Sequence, residues 1–129
     1  MNTAAFDIKT IIEANRSDLI FGTNLFIAFE PEAPSNCVTL FDVVGDVVSG
    51  VNFSKQQDEG IVQVRVRDVS YHTGITLAFE LAEIFKAWRG KVNGRHYSII
   101  KAGTIPMLQD WDANSRAKFV VTMNFMREV

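Results

Sequence analysis

Residues 61–69, IVQVRVRDV, alternate between apolar and polar side chains along most of the segment. Valine occupies three alternate positions, and the positions that follow each valine are polar: Gln63, Arg65 and Arg67. Successive side chains of a β-strand point to opposite faces, so the valines share one face and the polar residues share the other. The chain is therefore expected to contain a sheet with one face buried in a core and one face left for solvent or for an interface.

Four further segments are predicted to be strands, because they are rich in aliphatic and aromatic residues and lie between turn signals. They are residues 25–29, 37–44, 97–105 and 116–126. The last of these alternates in the same way as residues 61–69. Two prolines and an asparagine separate the first two of these strands, and they predict an extended connection that then turns.

Two helices are predicted from apolar residues spaced three and four apart. Residues 4–15 carry such a stripe, with Thr3 available as N-cap, and Asp7 is expected on the outer side of this helix. Residues 73–89 carry a second stripe that ends at Trp88, and the glycines and the Asn-Gly pair that follow are expected to stop the helix. The predicted order is α-β-β-β-α-β-β. It implies an α+β fold in which one mixed or antiparallel sheet of about five strands is covered by the two helices.

Residues 45–60, GDVVSGVNFSKQQDEG, contain three glycines and no sustained periodicity. The segment is predicted to be a long loop or arm. Loops of this length inside a small domain are usually functional, so we expect a partner contact here, through its charged residues. These are Asp46, Lys55, Asp58 and Glu59.

The length of 129 residues favours a single domain, residues 1–129. The formal net charge of -2 provides no attractive field for nucleic acid or for an anionic membrane. The only cysteine, Cys37, excludes an intramolecular disulfide and a cysteine-rich metal site. Charged residues near the N-terminus argue against a signal peptide, and no window approaches the roughly 20 apolar residues of a membrane helix.

No pattern typical of an enzyme occurs in the sequence. His72 and His96 lie in predicted turns without neighbouring ligand residues, so we interpret them as exposed loop histidines. No phosphate-binding glycine loop, nucleophile elbow or zinc-protease motif is found. We therefore expect no enzymatic activity, no cofactor and no metal.

Three groups of residues leave another interpretation open. Asp42 and the acidic residues of the 45–60 segment would suit Mg²⁺ or acid–base chemistry, although a solvated loop is the simpler interpretation. The two arginines of the 61–69 strand, with Arg116 and Lys118, would form a basic strip for phosphates, although ladders of charge are common on sheet surfaces. Trp111, between two aspartates, is either an exposed interface anchor or a residue that packs over the sheet edge.

Three segments, taken in order, resemble a known family. Residues 25–45 combine a strand, a Pro-x-x-Pro-x-Asn connection and a second strand with an aspartate near its end. Residues 61–88 lead from a Gln-Val-x-Val-Arg strand through a tyrosine-containing turn into a helix with a terminal aromatic residue. Residues 105–126 combine a proline turn, an acidic turn and a closing strand that ends in Asn-Phe-Met. The succession is similar to that of the minor capsid or tail terminator proteins of long-tailed bacteriophages.

The resemblance implies a structural function in the virion. Such a protein forms a homo-oligomeric ring, a hexamer in characterised relatives, that caps the tail tube, ends its polymerisation and offers a surface for head-tail joining. Its implied partners are further copies of itself, the major tail tube protein and the head-tail connector protein, with no membrane and no sequence-specific nucleic acid. Its implied location is the head-tail joint of the virion, after assembly in the host cytoplasm.

In such a ring we expect Arg65 and Arg67 to pair with acidic residues of a neighbouring subunit, and residues 45–60 to contact the tube or the connector. Two alternatives stay open at this point. One is a head-completion or connector protein, which also forms rings. The other is a small Mg²⁺-dependent or nucleic-acid-binding protein that uses the acidic loop or the arginine strip.

Overall fold

The structure is a computed structural model that describes residues 3–49 and 56–128. Within these ranges it contains two α-helices and one seven-stranded sheet. Helix α1 spans Ala4–Asn15 and helix α2 spans Tyr71–Ile84. The predicted α+β class is confirmed, although the sheet has more strands than the sequence pattern indicates. The strands, in chain order, are β1 Leu25–Ile27, β2 Cys37–Ser49, β3 Gln56–Asp68, β4 Trp88–Val92, β5 Arg95–Ala102, β6 Met107–Trp111 and β7 Ala117–Glu128.

The strand order in the sheet is β1-β2-β3-β7-β5-β4, and β6 also pairs with β7. Strand β1 runs parallel to β2, whereas the other pairs are antiparallel. One edge of β7 pairs with β3 along its whole length. Its other edge is divided between β6, which pairs with residues 117–120, and β5, which pairs with residues 123–127. Strand β7 is therefore the centre of the sheet.

The apolar face of the sheet and the two helices form the core. The alternation predicted for β3 is confirmed, because its three valines are 0–1% exposed. Helix α2 packs against β3, β5 and β7 in the middle of the strand order. Helix α1 packs against β1 and β2 at one end of that order and against β4 at the other, which requires the sheet to curl around this helix. No helix in the described part of the chain is long and apolar enough to cross a membrane.

The chain after α2 differs from the prediction. The helix ends at Ile84, and the following residues Trp88–Val92 form β4, which pairs with β5. Asn93 and Gly94 have φ angles of 51° and 79°, and two successive positive φ angles are the signature of a two-residue hairpin turn. The Asn-Gly pair thus joins two strands and is not the predicted helix stop.

Strand β6 is the second strand that the pattern did not predict. It has five residues, and most of them are exposed, so it lacks the apolar alternation that reveals a half-buried strand. The strand predicted at 97–105 also ends earlier, at Ala102. The chain between Ala102 and Met107 is therefore a connection between two strands that share the same partner, β7.

The prediction of a long loop over residues 45–60 is wrong for most of the segment. Strand β2 continues to Ser49 and β3 begins at Gln56, with paired residues from Gly45 opposite Gly60 to Ser49 opposite Gln56. Strand β3 is also paired on its other side, from Gln57 onwards, with β7. The backbone hydrogen bonds of a ladder do not depend on apolar side chains, so the polar residues here form strands without an amphipathic pattern.

Candidate functional site

The predicted interface residue Arg67 is buried, at 3% exposure. Its guanidinium donates hydrogen bonds to the carbonyl oxygens of Pro31, Pro34 and Ser35 at 2.5, 2.7 and 3.1 Å. It also lies 3.5 Å from a carboxylate oxygen of Glu30. All of these partners belong to its own chain. Arg67 therefore fastens the connection between β1 and β2 to β3, and its charge is not presented to a neighbouring subunit.

A second buried arginine, Arg116, directly precedes β7 and fastens the same connection. Its Nη1 donates to the carbonyl oxygen of Glu32 at 2.6 Å, and its Nη2 lies 2.9 Å from the Glu32 carboxylate. Its Nε donates to Asp112 at 2.7 Å. Burial alone would raise the pKa of the Asp112 carboxyl, but hydrogen bonds from the backbone and side chain of Arg116 outweigh it and lower the pKa below its ordinary value. Asp112 is therefore bound in its ionised form.

These contacts change the predicted basic strip. Lys118, the third cation of the strip, lies 3.2 Å from Glu30. Three of its four cations thus have carboxylate partners in their own chain: Arg67, Arg116 and Lys118. The positive charge that was available for phosphates is largely neutralised on this face.

Arg65 is the fourth cation of the strip, and its surroundings are different. It is half-buried, its Nε donates to Gln63 Oε1 at 2.7 Å, and its guanidinium carbon lies 4.7 Å from the centre of the Phe41 ring. Among the carboxylates whose side chains the structure describes, none lies within ion-pair distance of Arg65. A cation that is held over an aromatic ring without a counter-charge is suited to pair with an acidic residue of another subunit.

The acidic residues of the predicted loop are only partly described. Asp46 and Asp58 belong to β2 and β3, where their backbones pair with Glu59 and Val47, but their side chains lie outside the described part, as does the whole of Lys55. Glu59 is half-buried. No group of three or more histidine, cysteine, aspartate or glutamate side chains that could hold a metal occurs among the described residues.

Asp42 has a structural role instead. Its Oδ1 accepts a hydrogen bond of 3.0 Å from the backbone N–H of Ala5, in the first turn of α1. The predicted N-cap, Thr3, is the N-cap residue, but its side chain makes no capping hydrogen bond. A carboxylate at this position accepts a hydrogen bond from an N–H group that has no partner within the helix. Its negative charge also interacts favourably with the positive end of the helix dipole. Asp42 therefore couples α1 to β2.

Trp111 ends β6 opposite Ala117 and is 50% exposed. Its position on an edge strand combines the two interpretations that the sequence left open, since the residue belongs to the sheet edge and also presents half of its surface. Aromatic residues of this kind are frequent anchors of interfaces. Asp110 and Asp112, on either side, face different surroundings, because Asp110 is exposed and Asp112 binds Arg116.

Asp7, expected on the outer side of α1, is buried at 1% exposure. Its carboxylate accepts hydrogen bonds from Tyr97 Oη and from Asn93 Nδ2, the latter at 2.8 Å. Arg127 Nη1 lies 3.3 Å from the same carboxylate and 3.1 Å from Tyr97 Oη. This network connects α1 to β5, to the β4–β5 turn and to the end of β7. It holds the helix inside the curled sheet, and no periodicity in the sequence indicates it.

A cleft of about 410 Å³ lies between the chain after α1 and one flank of α2. Arg16 crosses it, with ion pairs to Asp18 and Glu80. The hydrogen bond from Arg16 lowers the pKa of the Asp18 carboxyl. His72 also lines the cleft and lies in the first turn of α2, so it is not the turn residue that was predicted. The charges of Arg16, Asp18 and Glu80 in the lining of the cleft are therefore already paired.

A family model and a solved structure are similar to this chain. A family model described as bacteriophage tail terminator protein matches residues 12–129. A chain from the solved virion of a native gene transfer agent particle has a similar fold, with a TM-score of 0.64 and 10% sequence identity. The alignment covers 95% of this chain and 84% of that chain. A search of curated protein sequences finds no match.

The family match includes all seven strands and α2, and it begins near the end of α1. It also includes the three segments that carried the resemblance in the sequence, so the resemblance is confirmed. The similar fold of the gene transfer agent chain is consistent with this result, and an identity of 10% shows a shared fold and nothing more. The chain belongs to the bacteriophage tail terminator family.

Proposed function

We propose that this protein caps the tail tube of a phage as a ring, ends tail polymerisation and provides the surface for head-tail joining. The observation that carries the proposal is the match to the tail terminator family over residues 12–129. That match makes the protein a structural component of a phage tail. The fold that it shares with a chain of a gene transfer agent virion is consistent with a place in the virion. We propose that this place is the head-tail joint and that assembly occurs in the host cytoplasm.

A closed ring requires two different patches on each subunit, because the same contact is repeated head to tail until the rotation closes. We propose a homo-oligomeric ring, a hexamer, in which Arg65 pairs with an acidic residue of the neighbouring subunit. Its half-buried position and the absence of a carboxylate partner among the described residues support this role. Arg67 is not assigned to the interface, since its hydrogen bonds hold the connection between β1 and β2.

The partners of the ring would be the major tail tube protein on one side and the connector protein on the other. We propose that one of them is contacted by the extension of β2 and β3 beyond Gly45 and Gly60, which carries Asp46, Asp58 and Glu59. Trp111, half-exposed on the edge strand β6, is the proposed aromatic anchor of a second contact. The extension is polar, and Trp111 is a single aromatic side chain on the surface. Such features suit contacts that form only in the assembled tail.

Electron microscopy of particles made without this gene tests the function. A terminator predicts overlong tails that lack heads, because nothing stops the addition of tube subunits. Tails of normal length beside filled heads that lose DNA would contradict the proposal and indicate a head-completion or connector protein. Returning the wild-type gene in trans is the control, and it should restore the normal tail length.

A further inference from the structure

Residues 84–109 form a strongly basic part of the chain. They contain five of the 13 lysine and arginine residues and none of the 15 aspartate and glutamate residues. The rest of the chain therefore has eight basic side chains against all 15 acidic ones. A small negative net charge excludes a general attraction for polyanions, but a local concentration of cations can still attract one. The five cations are Lys86, Arg89, Lys91, Arg95 and Lys101.

The fold places most of these cations on the outer surface of the hairpin formed by β4 and β5. Trp88 is half-buried, and its partner in the ladder, Ile100, is buried. The residues that follow them, Arg89 and Lys101, therefore point away from the core, and both are exposed. Lys91, two positions after Arg89, is exposed as well. We call Arg89, Lys91 and Lys101 the basic hairpin surface.

The exposed cations of this region have no acidic partners. Among the carboxylates whose side chains the structure describes, none lies within ion-pair distance of Lys86 or of the basic hairpin surface. In the described part of the chain, the hairpin hydrogen-bonds to one carboxylate, that of Asp7, which is buried and already paired with Arg127. The positive charge of the hairpin is therefore available to a partner, unlike that of Arg67 and Arg116.

Arg95 adds to this positive charge from below the surface. It lies opposite Val92 in the ladder and is half-buried. Its Nη1 atom is buried and has no hydrogen-bond partner among the described residues. Burial reduces the screening of a charge by solvent and salt, so this guanidinium strengthens the positive potential of the hairpin.

The surroundings of the cations indicate the class of partner. The large apolar side chains that are exposed on the described surface all lie outside residues 86–101. Protein interfaces usually have an apolar and aromatic core, and proteins that lie on membranes insert apolar side chains. Single-stranded nucleic acids are usually bound by stacking on exposed aromatic rings. Contacts to the phosphates of a duplex need only accessible cations, and β4 is accessible because it is the last strand of the sheet.

We propose that the basic hairpin surface binds the phosphate backbone of double-stranded nucleic acid without sequence preference. Arg89, Lys91 and Lys101 are the phosphate contacts. Contacts of this kind carry no sequence information, which agrees with the absence of a base-reading element on the hairpin. The inference does not depend on the proposed ring or on the role of Arg65, because it uses a different part of the surface.

Binding of fluorescein-labelled duplex DNA, followed by fluorescence anisotropy at a series of salt concentrations, tests the proposal. Arg89→Gln plus Lys91→Gln should weaken binding about tenfold at low salt and reduce the slope of log affinity against log salt by about 1 for each lost contact. Thr73→Glu plus Gln109→Glu is the control, because it changes the net charge equally at exposed positions outside the hairpin. The control should lose less than about threefold. No binding by the wild type at low salt, or equal losses in both double variants, would overturn the proposal.

Chemical footprinting of the wild-type protein gives a result that does not depend on any variant. Lysines are acetylated with and without duplex DNA and are quantified by mass spectrometry. Lys91 and Lys101 should be protected by DNA, whereas Lys118, which pairs with Glu30 outside the hairpin, should react equally in both samples. Equal protection of all three lysines, or protection of none, would contradict the assigned surface.

Competition distinguishes nucleic acid from other anionic partners. Poly-glutamate, or vesicles of phosphatidylcholine and phosphatidylserine, is added to the complex at the same concentration of negative charge as the DNA. The anisotropy should stay unchanged with both competitors and should fall with unlabelled duplex DNA. Displacement of the DNA by poly-glutamate or by the vesicles would assign the hairpin to an acidic protein or to a membrane and would overturn the proposal.

Discussion

The guanidinium of Arg67 donates a hydrogen bond of 2.7 Å to the carbonyl oxygen of Pro34, which joins β3 to the connection between β1 and β2. Arg65, two residues earlier on the same face of β3, makes no comparable contact with that connection. The two arginines occupy equivalent places in the sequence pattern, yet Arg67 holds a connection of its own chain, whereas Arg65 is the residue proposed to pair with a neighbouring subunit. Variants of Arg67 should therefore change mainly the stability of the protein, and variants of Arg65 should change mainly its assembly.

Arg67→Lys should lower the free energy of unfolding by about 2–4 kcal/mol. A lysine cannot reproduce the forked set of hydrogen bonds, and it leaves buried carbonyl oxygens without donors. Arg65→Lys is the matched control and should cost less than about 1 kcal/mol, because it removes mainly a contact with the Phe41 ring. Urea denaturation followed by tryptophan fluorescence measures both values. Equal losses for the two variants would contradict the different roles assigned to them.

Asp42→Ala should destabilise the protein by about 1 kcal/mol, since it removes the carboxylate that accepts the Ala5 N–H group at the start of α1. Asp42→Asn retains a carbonyl oxygen at the same place and should recover most of this loss. The measurement is the midpoint of urea unfolding for both variants. If asparagine and alanine are equally destabilising, the hydrogen bond is not the source of the effect.

Gly74→Ala should destabilise the protein, although alanine is favoured over glycine in a helix by about 1 kcal/mol. A Cβ atom at this position would lie 2.4 Å from a ring carbon of Phe119, so the helix or the ring would have to move. Thr76→Ala, two residues later on the exposed flank of α2, is the control and should be neutral or stabilising. Thermal unfolding of the two variants distinguishes them. A higher melting temperature for Gly74→Ala would contradict the close packing of α2 on β7.

Stability should fall more steeply in acid for the wild type than for Asp112→Asn. The pKa of Asp112 in the folded protein is lower than its ordinary value of 3.8, because Arg116 binds the ionised form. Its contribution is therefore present above the unfolded-state pKa and is lost as the pH falls below it toward the folded-state value. Urea unfolding at a series of pH values from neutral to about pH 3 measures the difference. Parallel curves for the two proteins would contradict the role of this pair.

The sequence predicted those parts of the fold in which side-chain periodicity and structure coincide. Strands β3 and β7 each bury one face, and this burial produces the alternation in their sequences. Helix α1 also buries one side, which produces its apolar stripe. Strand β4 could not be recognised, because Trp88 continues the apolar spacing of α2 and the Asn-Gly turn also resembles a helix stop. The β2–β3 extension was interpreted as a loop since its strands are paired through the backbone and carry polar residues.

The functional residues were predictable only as far as local pattern allows. Arg65 and Arg67 were expected to act together, and their difference comes from a connection more than 30 residues away along the chain. Asp7 was expected in solvent, and its burial depends on Tyr97 and Arg127 at the far end of the chain. Contacts between distant segments leave no periodic signal in a single sequence.

Cryo-electron microscopy of isolated tails tests the ring cap most directly. A single closed ring of this protein is expected at the head-proximal end of each tube. Tails made with Arg65→Glu should lack the ring and vary in length. Density for the protein along the whole tube, at the distal tip only, or absent from tubes of normal length would contradict the account.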